Sequence, residues 1–445
     1  MLLFAAVAIV AMPDWVPARW FSKDPATLKL VESTPVNCLL MEKANWSPEF
    51  NRAAANLGIA TLGVVTGNAN AADIAAEAKR AGLTGLAVEG SLSAGTVDMP
   101  VVELTNRAEM KFGSNAQVLA TKQGMWPGIR AEQDGLIAAP TGAPWIDTNT
   151  GFLRYARVST NAAIWIAERV PPKSHPLPTA YLAAIGDAGM TGARWVLDFD
   201  DEFARGLSKG DAAALKNWAL IVKHVKFYED HKKWRGFTMR STLALVEAPE
   251  SGALISGGVL DMMATKHTPV TPIPARTLDG KSLLHSKMAV NVDPELLSAN
   301  QKEALKAFTH AGGTLLTGPP GWRFPSLKPD QITLDKKDLE TLDSIWKELN
   351  SVTGRENLGA RLFNVGSMLS NLLESADGKQ VVLELVNYSD YPVADITVHV
   401  LGKFKSATLL RPDADPKKLE VYEVDEGTGI DVPALGALGT LILAP

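Results

Sequence analysis

Cysteine is nearly absent from this 445-residue chain, because Cys38 is the single one. No intrachain disulfide can form, so stability has to come from packing. The chain also lacks any Lys/Arg run able to neutralise a row of phosphates, and its formal net charge is only -5 at pH 7. Nucleic acid is therefore not expected as a partner. Beyond the N-terminus, no uninterrupted apolar stretch reaches the roughly 18 residues that a membrane helix needs.

Motifs for metals and cofactors are missing as well. The seven histidines are scattered, with no HExxH motif and no paired spacing, so the sequence predicts no metal site. No GxGxxG motif follows a strand, and GPPGW (318–322) lacks the Lys-Ser/Thr pair of a phosphate-binding loop. We therefore expect no cofactor.

The N-terminus carries one short apolar run, from Leu2 to Met12. It is too short to span a bilayer but fits the h-region of a signal peptide, with Ala6, Ala8 and Ala11 available for cleavage. No basic residue precedes Arg19, which departs from the usual pattern. The interpretation is export to the periplasm or the outside of a bacterial cell, and the alternative is a mis-assigned start codon or a buried N-terminal strand.

From residue 36 onward, short apolar runs alternate with helical patterns, which is typical of βα units around a parallel sheet. Ser47-Pro48-Glu49 has the features of a helix start: a capping side chain, proline at the first position and an acid in the first turn. A long helix is expected over Ala212 to Trp234. The predicted strands are 36–43, 59–67, 83–90, 99–105, 116–124, 135–142, 162–170, 193–200 and 241–249. Eight or nine strands favour a (β/α)8-type barrel over 31–249, preceded by a signal peptide and N-terminal segment over 1–30.

The pattern changes after Pro249. A helix over Ala299 to Ala311, ended by Gly312-Gly313, and a strand from Thr314 to Thr317 indicate a small open, flavodoxin-like α/β domain over 250–355. Short alternating strands with Asp, Gly and Pro turns then predict an antiparallel β-sandwich over 356–445.

This order of parts resembles retaining glycosidases of the β-galactosidase type. In that group a barrel is followed by a glutamine-amidotransferase-like trimerisation domain and a β-sandwich. The stretch LSANQKEALKAFTHAGGTLLTGPPGW is similar to the helix, Gly-Gly and strand segment of the amidotransferase-like domain, without the cysteine nucleophile of amidotransferases. WPGIR (126–130) and APTGAPWIDTNTGFLR (139–154) resemble barrel segments of uncharacterised glycoside-hydrolase-like proteins. The resemblance implies a carbohydrate substrate and association into oligomers, and it assigns no catalytic pair.

Glycosidic cleavage needs two carboxylates that face one sugar, and in a barrel they come from the C-terminal ends of the strands. The acids at or just after predicted strand ends are Glu89, Asp147, Glu168, Asp198, Asp200, Asp201, Glu202 and Glu247. We take Glu89, Asp147 and Asp200 as the catalytic candidates. Asp200 and Asp201 have an alternative role, since either acid would also cap the helix that begins at EFARGL.

The loop before and after residue 147 has the composition of a sugar site. Trp145, Asp147, Asn149 and Arg154 combine a flat ring with an amide, a carboxylate and a guanidinium, which suits a pyranose with its apolar face and rim of hydroxyls. In the alternative reading the loop is a rigid crossing in which Arg154 pairs with Asp147.

Further candidates for substrate binding are Trp126, Arg130, Glu168, Asp198, Asp201, Glu247 and His267. The hypothesis is hydrolysis of a glycosidic bond in a poly- or oligosaccharide by a carboxylate acid/base pair. One alternative is a non-catalytic glycan-binding protein with a degenerate barrel. The other is a structural protein whose middle domain only mediates oligomerisation.

Overall fold

The chain is described by a computed structural model over residues 10–93, 95–132, 135–138, 148–250, 252–318, 332, 334, 336–354 and 359–444. Within these residues the molecule consists of a parallel barrel, an open parallel sheet with helices and an antiparallel sandwich. This is the fold class predicted from the sequence.

The barrel strands lie side by side in chain order. They are β1 (Pro17–Trp20), β2 (Cys38–Met41), β3 (Ala60–Val65), β4 (Gly85–Val88), β5 (Val101–Thr105), β6 (Val118–Thr121), β7 (Ala163–Ile166) and β8 (Arg194–Trp195). Each pairs in parallel with the next. A parallel bridge between Ala18 and Leu197 closes the ring, with the Arg19 amide donating to the Leu197 carbonyl at 2.7 Å. Closure brings the C-terminal ends of the strands to one rim.

Six helices accompany the barrel: α1 (Pro48–Asn56), α2 (Ala71–Arg80), α3 (Thr150–Ser159), α4 (Pro178–Gly189), α5 (Asp201–Lys209) and α6 (Ala212–Asp230). Ser47 caps α1 by accepting from the Phe50 amide, as the Ser-Pro-Glu pattern predicts. The predicted long helix from 212 ends at Asp230, and a 3-10 turn over Lys232–Gly236 continues it. Other 3-10 turns are Met12–Asp14, Pro25–Leu30, Lys43–Asn45 and Arg107–Glu109.

Two strand predictions for the barrel were wrong, and one barrel strand was missed. β1 lies inside the segment 1–30, which the sequence placed before the barrel. The run 241–249 is the first strand of the second sheet, because it pairs in parallel with 271–274 and 288–291. The run starting at 135 forms an antiparallel hairpin, Ile129–Glu132 with Gly135–Ala138. A strand buried on both faces has the same apolar composition in either parallel sheet, so pairing alone decides its place.

The second sheet has the order β10-β9-β11-β12, built from β9 (Leu243–Glu247), β10 (Thr271–Pro274), β11 (Met288–Asn291) and β12 (Thr314–Thr317). This is the flavodoxin-like order for its first four strands. Its helices are α7 (Gly252–Ser256), α8 (Gly258–Thr265), α9 (Ala299–His310) and α10 (Lys336–Thr353), with 3-10 turns at Ala275–Thr277 and Pro294–Leu296. The predicted helix from Ala299 and the predicted strand β12 are confirmed.

The sandwich consists of β13 (Ala360–Phe363), β14 (Met368–Glu374), β15 (Val381–Asn387), β16 (Val393–Leu401), β17 (Ser406–Arg411), β18 (Ala414–Leu419), β19 (Val421–Val424), β20 (Gly427–Leu435) and β21 (Leu438–Ala444). One sheet has the order β14-β15-β21-β17-β18, extended at β14 by Thr238–Met239, and the other has the order β13-β16-β20-β19. Buried side chains such as Leu383, Val398 and Leu441 fill the space between them.

No helix in the described ranges is long and apolar enough to cross a membrane. Most of the apolar run from Leu2 to Met12 lies outside the described residues, so export stays a prediction.

Candidate active site at the barrel rim

The C-terminal rim of the barrel carries charged side chains from six of its strands or the residues just after them. They are Arg19 on β1, Glu42 after β2, Glu89 after β4, Lys122 after β6, Glu168 and Arg169 after β7, and Asp198 beyond β8. Parallel strands deliver such residues to one face of the ring, which is where barrel enzymes carry out their chemistry.

Glu89 lies between two arginines. Its Oε1 accepts from the buried guanidinium of Arg19, and its Oε2 accepts from Arg169 Nη2 at 2.9 Å. Burial raises the pKa of this carboxyl, but the two arginines outweigh that effect and hold the pKa below its ordinary value. Glu89 is therefore an ionised carboxylate at neutral pH.

The same two arginines link Glu89 to the segment 167–169 and to Glu42. Arg19 Nη2 also donates to the Ala167 carbonyl at 3.1 Å, and Arg169 Nη2 also donates to Glu42 Oε1 at 2.7 Å. Glu42 and Arg169 are 41% and 44% exposed, so this side of the group faces solvent. The rim thus forms one connected set of ion pairs that is open to a ligand.

Glu168 has a different environment. Its Oε2 accepts from the Gly124 amide at 2.9 Å, directly after β6. Burial is the largest influence and raises its pKa to about 7, against the lowering effects of the Gly124 amide, Arg107 and Arg19. A Cβ on Gly124 would lie 3.0 Å from Glu168 Cβ and 2.6 Å from Ile166 Cγ2, so only glycine fits here without displacement.

Asp198 is the third acid of the group. Its Oδ2 accepts from the Val170 amide at 2.8 Å, and burial raises its pKa although Arg19 and Arg169 lower it. It also adds to the raised pKa of Glu168, which places its charge close to that carboxyl. The rim therefore holds an ionised acid, Glu89, and a carboxyl that keeps its proton near neutral pH, Glu168, and the charge of Arg19 acts on both. That combination can donate a proton and stabilise a positive charge at one place.

Asp200, predicted as catalytic, caps a helix instead. Its Oδ1 accepts from the Glu202 and Phe203 amides at the start of α5, and its Oδ2 accepts from the Tyr181 hydroxyl at 3.2 Å. The capping role that the sequence left open is the one observed. Asp201 is exposed in the first turn of the same helix.

Trp126, predicted to stack on a sugar, is a packing residue. It is 4% exposed, contacts Tyr181 and Trp195 edge to face, and donates its indole N–H to the Arg169 carbonyl at 2.9 Å. Its apolar ring is more favourable inside the protein, where it supports the segment that carries Arg169.

Asn149 and Arg154 are buried where the domains meet. Asn149 accepts from Arg107 Nη2 at 2.5 Å and donates to Asp187 Oδ2 at 2.7 Å. Arg154 donates to the Ser370 carbonyl of the sandwich at 2.8 Å. The predicted use of these side chains as sugar ligands from a surface loop was wrong, because both are at most 3% exposed.

Glu247 and His267 lie away from the rim as well. Glu247 ends β9 in the second sheet, where burial and then Asp293 raise its pKa well above the ordinary value. The ring of His267 lies 3.4 Å from the Ser370 hydroxyl, against the sandwich, and burial lowers its pKa to about 4.

Asp147 and Trp145 fall outside the described residues, as does the side chain of Arg130, so their roles stay predictions.

The residues that the sequence interpretation missed are Arg19, Glu42, Lys122 and Arg169. Glu42 gave the same signal as Glu89, an acid directly after an apolar strand. The basic residues were missed because only acids were sought at strand ends, although nearby cations are one of the means by which a site lowers the pKa of a carboxyl. In the described part of the chain, no group of three or more His, Cys, Asp or Glu side chains is arranged to hold a metal ion.

The arrangement of a closed parallel barrel, an open α/β sheet and a sandwich is shared with solved structures of glycoside hydrolases. The α-L-fucosidase isoenzyme 2 from Paenibacillus thiaminolyticus has this structure with a TM-score of 0.60 and 12% identity, over 98% of each chain. A catalytic mutant of a GH42 β-galactosidase from G. stearothermophilus matches with a TM-score of 0.57 and 8% identity, over 98% of this chain and 99% of that one. The chain has the fold of these glycoside hydrolases, which confirms the resemblance seen in the sequence. No protein-family model and no curated protein sequence matches it.

Proposed function

We propose that the protein is a glycosidase that hydrolyses a glycosidic bond at the barrel rim, with Glu168 as the general acid and Glu89 as the second carboxylate. The observation that carries the proposal is the contrast between these two acids. Burial keeps Glu168 protonated to about pH 7, while Arg19 and Arg169 keep Glu89 ionised. Divergent pKa values of two neighbouring carboxyls are the usual means by which one site supplies both an acid and an anion. The fold that the chain shares with the fucosidase and the galactosidase supports a carbohydrate substrate.

In this mechanism Glu168 donates its proton to the oxygen of the leaving sugar as the glycosidic bond breaks. Positive charge then develops at the anomeric carbon, and the Glu89 carboxylate stabilises it. A water molecule adds its hydroxyl to that carbon and gives its proton to the Glu168 carboxylate, which restores the acid. Arg19 fixes Glu89 from the barrel interior, and the Gly124 amide fixes Glu168. Export from the cell and association through the middle domain belong to the same proposal.

The test is hydrolysis of a panel of 4-nitrophenyl glycosides that includes the β-D-galactoside and the α-L-fucoside. We expect turnover of at least one glycoside by the wild type. Glu168→Gln and Glu89→Gln should each lower kcat by about 10²- to 10⁴-fold, the usual contribution of general acid-base catalysis. Glu103→Gln is the matched control, since Glu103 is exposed on β5 and should leave kcat unchanged. Equal loss in the control, or no effect of either amide, would contradict the assignment.

A non-catalytic glycan-binding protein is the second candidate, and the ion pairs of Glu89 favour it. Both oxygens of Glu89 accept from arginines, so the carboxylate is less free to react than an unpaired one. This candidate predicts that the wild type binds a glycan by calorimetry but cleaves none of the panel.

A further inference from the structure

A cavity lies beside the rim, outside the ring of strands. Its volume is about 530 Å³, and it lies between the start of α4, the length of α5 and the first half of α6. Its lining follows α5, which rises roughly 13 Å over its nine residues, and we name this cavity the groove. No residue of the proposed catalytic pair lines it.

The groove continues the rim through two loops. The loop from β7 to α4 carries Glu168 and Arg169 at the rim and then His175 at the groove. The loop from β8 to α5 carries Asp198 at the rim and Asp200 at the groove. The groove lies close to the rim, because Tyr181 of its lining contacts Trp126 at 5.3 Å between ring centroids and Trp126 donates to the Arg169 carbonyl.

The lining combines an apolar floor with a polar edge. Phe203 forms the floor, and the buried ring of Tyr181 supports it in edge contact at 5.6 Å between centroids. His175 and Glu202 stand at the edge and are 68% and 78% exposed, and Asn217 adds an amide from α6. A pyranose has one apolar face and a rim of hydroxyls, so this lining matches a sugar better than it matches a purely apolar ligand.

Asp200 is the most buried of the three carboxylates that line the groove, and it is already engaged. Asp200 accepts from two backbone amides and from the Tyr181 hydroxyl, which fixes the floor and leaves the carboxylate unsuited to proton transfer. The groove is therefore built to bind rather than to react.

We propose that the groove binds the distal units of an oligosaccharide whose scissile bond lies at the barrel rim. This rests on the proposed function and deepens it, because it makes the substrate a chain of several sugar units rather than a single glycoside. Arg205 on α5 also lines the groove, and Arg205 and Asn217 donate hydrogen bonds to the hydroxyls of these units.

The experiment compares the wild type with the double variant Arg205→Ala/Asn217→Ala on an array of immobilised glycans that differ in length from one sugar unit to six. The wild type should retain longer glycans more strongly than single units, and the double variant should lose about tenfold in affinity for the longer ones. Hydrolysis of 4-nitrophenyl monosaccharides should be the same in both proteins, since the rim is unchanged. Arg52→Ala/Asn56→Ala on the exposed face of α1 is the matched control, and melting temperatures show that all variants are folded.

The outcomes separate the two proposals. Hydrolysis of nitrophenyl glycosides without any length preference, or with the same preference in the double variant, would overturn the groove assignment and leave the glycosidase intact. Length-dependent binding that the double variant loses, with no hydrolysis of any glycoside, would overturn the glycosidase and keep the groove as a glycan-binding site. Absence of both activities in the folded wild type would overturn both.

Discussion

At the scale of single residues, the rim shows how different environments give two glutamate side chains different pKa values. Glu89 follows β4 and Glu168 follows β7 of the same ring, yet the arginines dominate the pKa of the first and burial dominates that of the second. Because a shift of one pKa unit corresponds to about 1.4 kcal/mol between protonation states, modest differences in environment are enough to assign separate roles.

The two carboxyls predict a bell-shaped dependence of kcat/KM on pH. As the pH rises through about 7, Glu168 loses the proton it must donate, so the rate falls. As the pH drops below the ordinary glutamate range, Glu89 becomes protonated and the rate falls again. The residual activity of Glu168→Gln should have no alkaline limb near pH 7, measured with a glycoside whose leaving group needs no protonation. An alkaline limb that persists in this variant would assign it to another group.

Gly124 makes a second residue-level prediction. In Gly124→Ala the new methyl group would contact Ile166 and Glu168 at less than van der Waals separation, so Glu168 has to shift. We expect kcat to fall by about 10²-fold, because a displacement of roughly 1 Å has that effect on a catalytic group. Overpacking should also cost about 1–3 kcal/mol of unfolding free energy. Gly236→Ala is the control, since a Cβ there meets nothing within 4 Å and should change neither quantity.

Sequence reasoning identified Glu89, Glu168 and Asp198 because an acid after an apolar strand is visible in the chain. It took Glu89 as a catalytic candidate and Glu168 and Asp198 only as substrate-binding candidates, because the effects of Arg19 and Gly124, which approach from other strands, are not visible in the sequence. Trp126 shows the opposite error, because an aromatic ring has the same appearance in a sequence whether it is buried or exposed.

At the scale of elements, the sequence correctly predicted features that depend on a few adjacent residues, but it did not predict which strands pair. The Ser47 cap, the helix from Ala299 and the strand β12 follow from side-chain chemistry within a few residues. β1 was missed because PARW contains a proline and an arginine and no apolar run, so only its pairing with β2 and Leu197 identifies it. The paired residues lie as far apart in the sequence as Ala18 and Leu197, so no local pattern indicates the pairing.

The start of α5 carries the element-scale prediction. Asp200→Ala removes the cap and should lower the unfolding free energy by about 0.5–2 kcal/mol, whereas Asp200→Ser keeps a capping oxygen and should lower it less. Denaturant unfolding of both variants measures the difference. Because Asp200 is committed to the α5 amides, kcat on a nitrophenyl monosaccharide should stay within about twofold of the wild type. Loss of turnover in the folded serine variant would restore Asp200 as a catalytic residue.

At the scale of the whole molecule, a buried polar junction joins the three domains behind the rim. Asp187 on α4 accepts from Thr148 and from the Tyr388 hydroxyl of the sandwich, and Asp261 on α8 accepts from the Gly151 amide at 2.6 Å. Arg107 lies next to this junction and donates to the Ile255 carbonyl of the second domain at 3.0 Å. No sequence pattern predicted these contacts, since their partners are separated by up to about half of the chain.

Burial of several acids predicts an unusual dependence of stability on pH. Burial raises the pKa of Glu384 in β15 to about 8 and that of Asp261 to about 7, against ordinary values near 4. At pH values between the ordinary pKa near 4 and these raised pKa values, the folded protein holds protons that the unfolded chain has released. The unfolding free energy should therefore fall as the pH rises from about 5 to 9, and should be highest on the acidic side of that window.

Glu384→Gln isolates the largest part of this effect. The amide cannot ionise, so the variant should lose less stability than the wild type between pH 5 and 9, with a difference of at least about 1 kcal/mol at pH 9 given 1.36 kcal/mol per unit of pKa. Urea unfolding at a series of pH values measures both slopes. Glu420→Gln is the matched control, because Glu420 is exposed in the same domain and its replacement should leave the slope unchanged. If Glu384→Gln had the slope of the wild type, the ion pairing of Glu384 with Arg157 and Arg154 would outweigh its burial. Its carboxylate would then be charged in the folded protein at neutral pH.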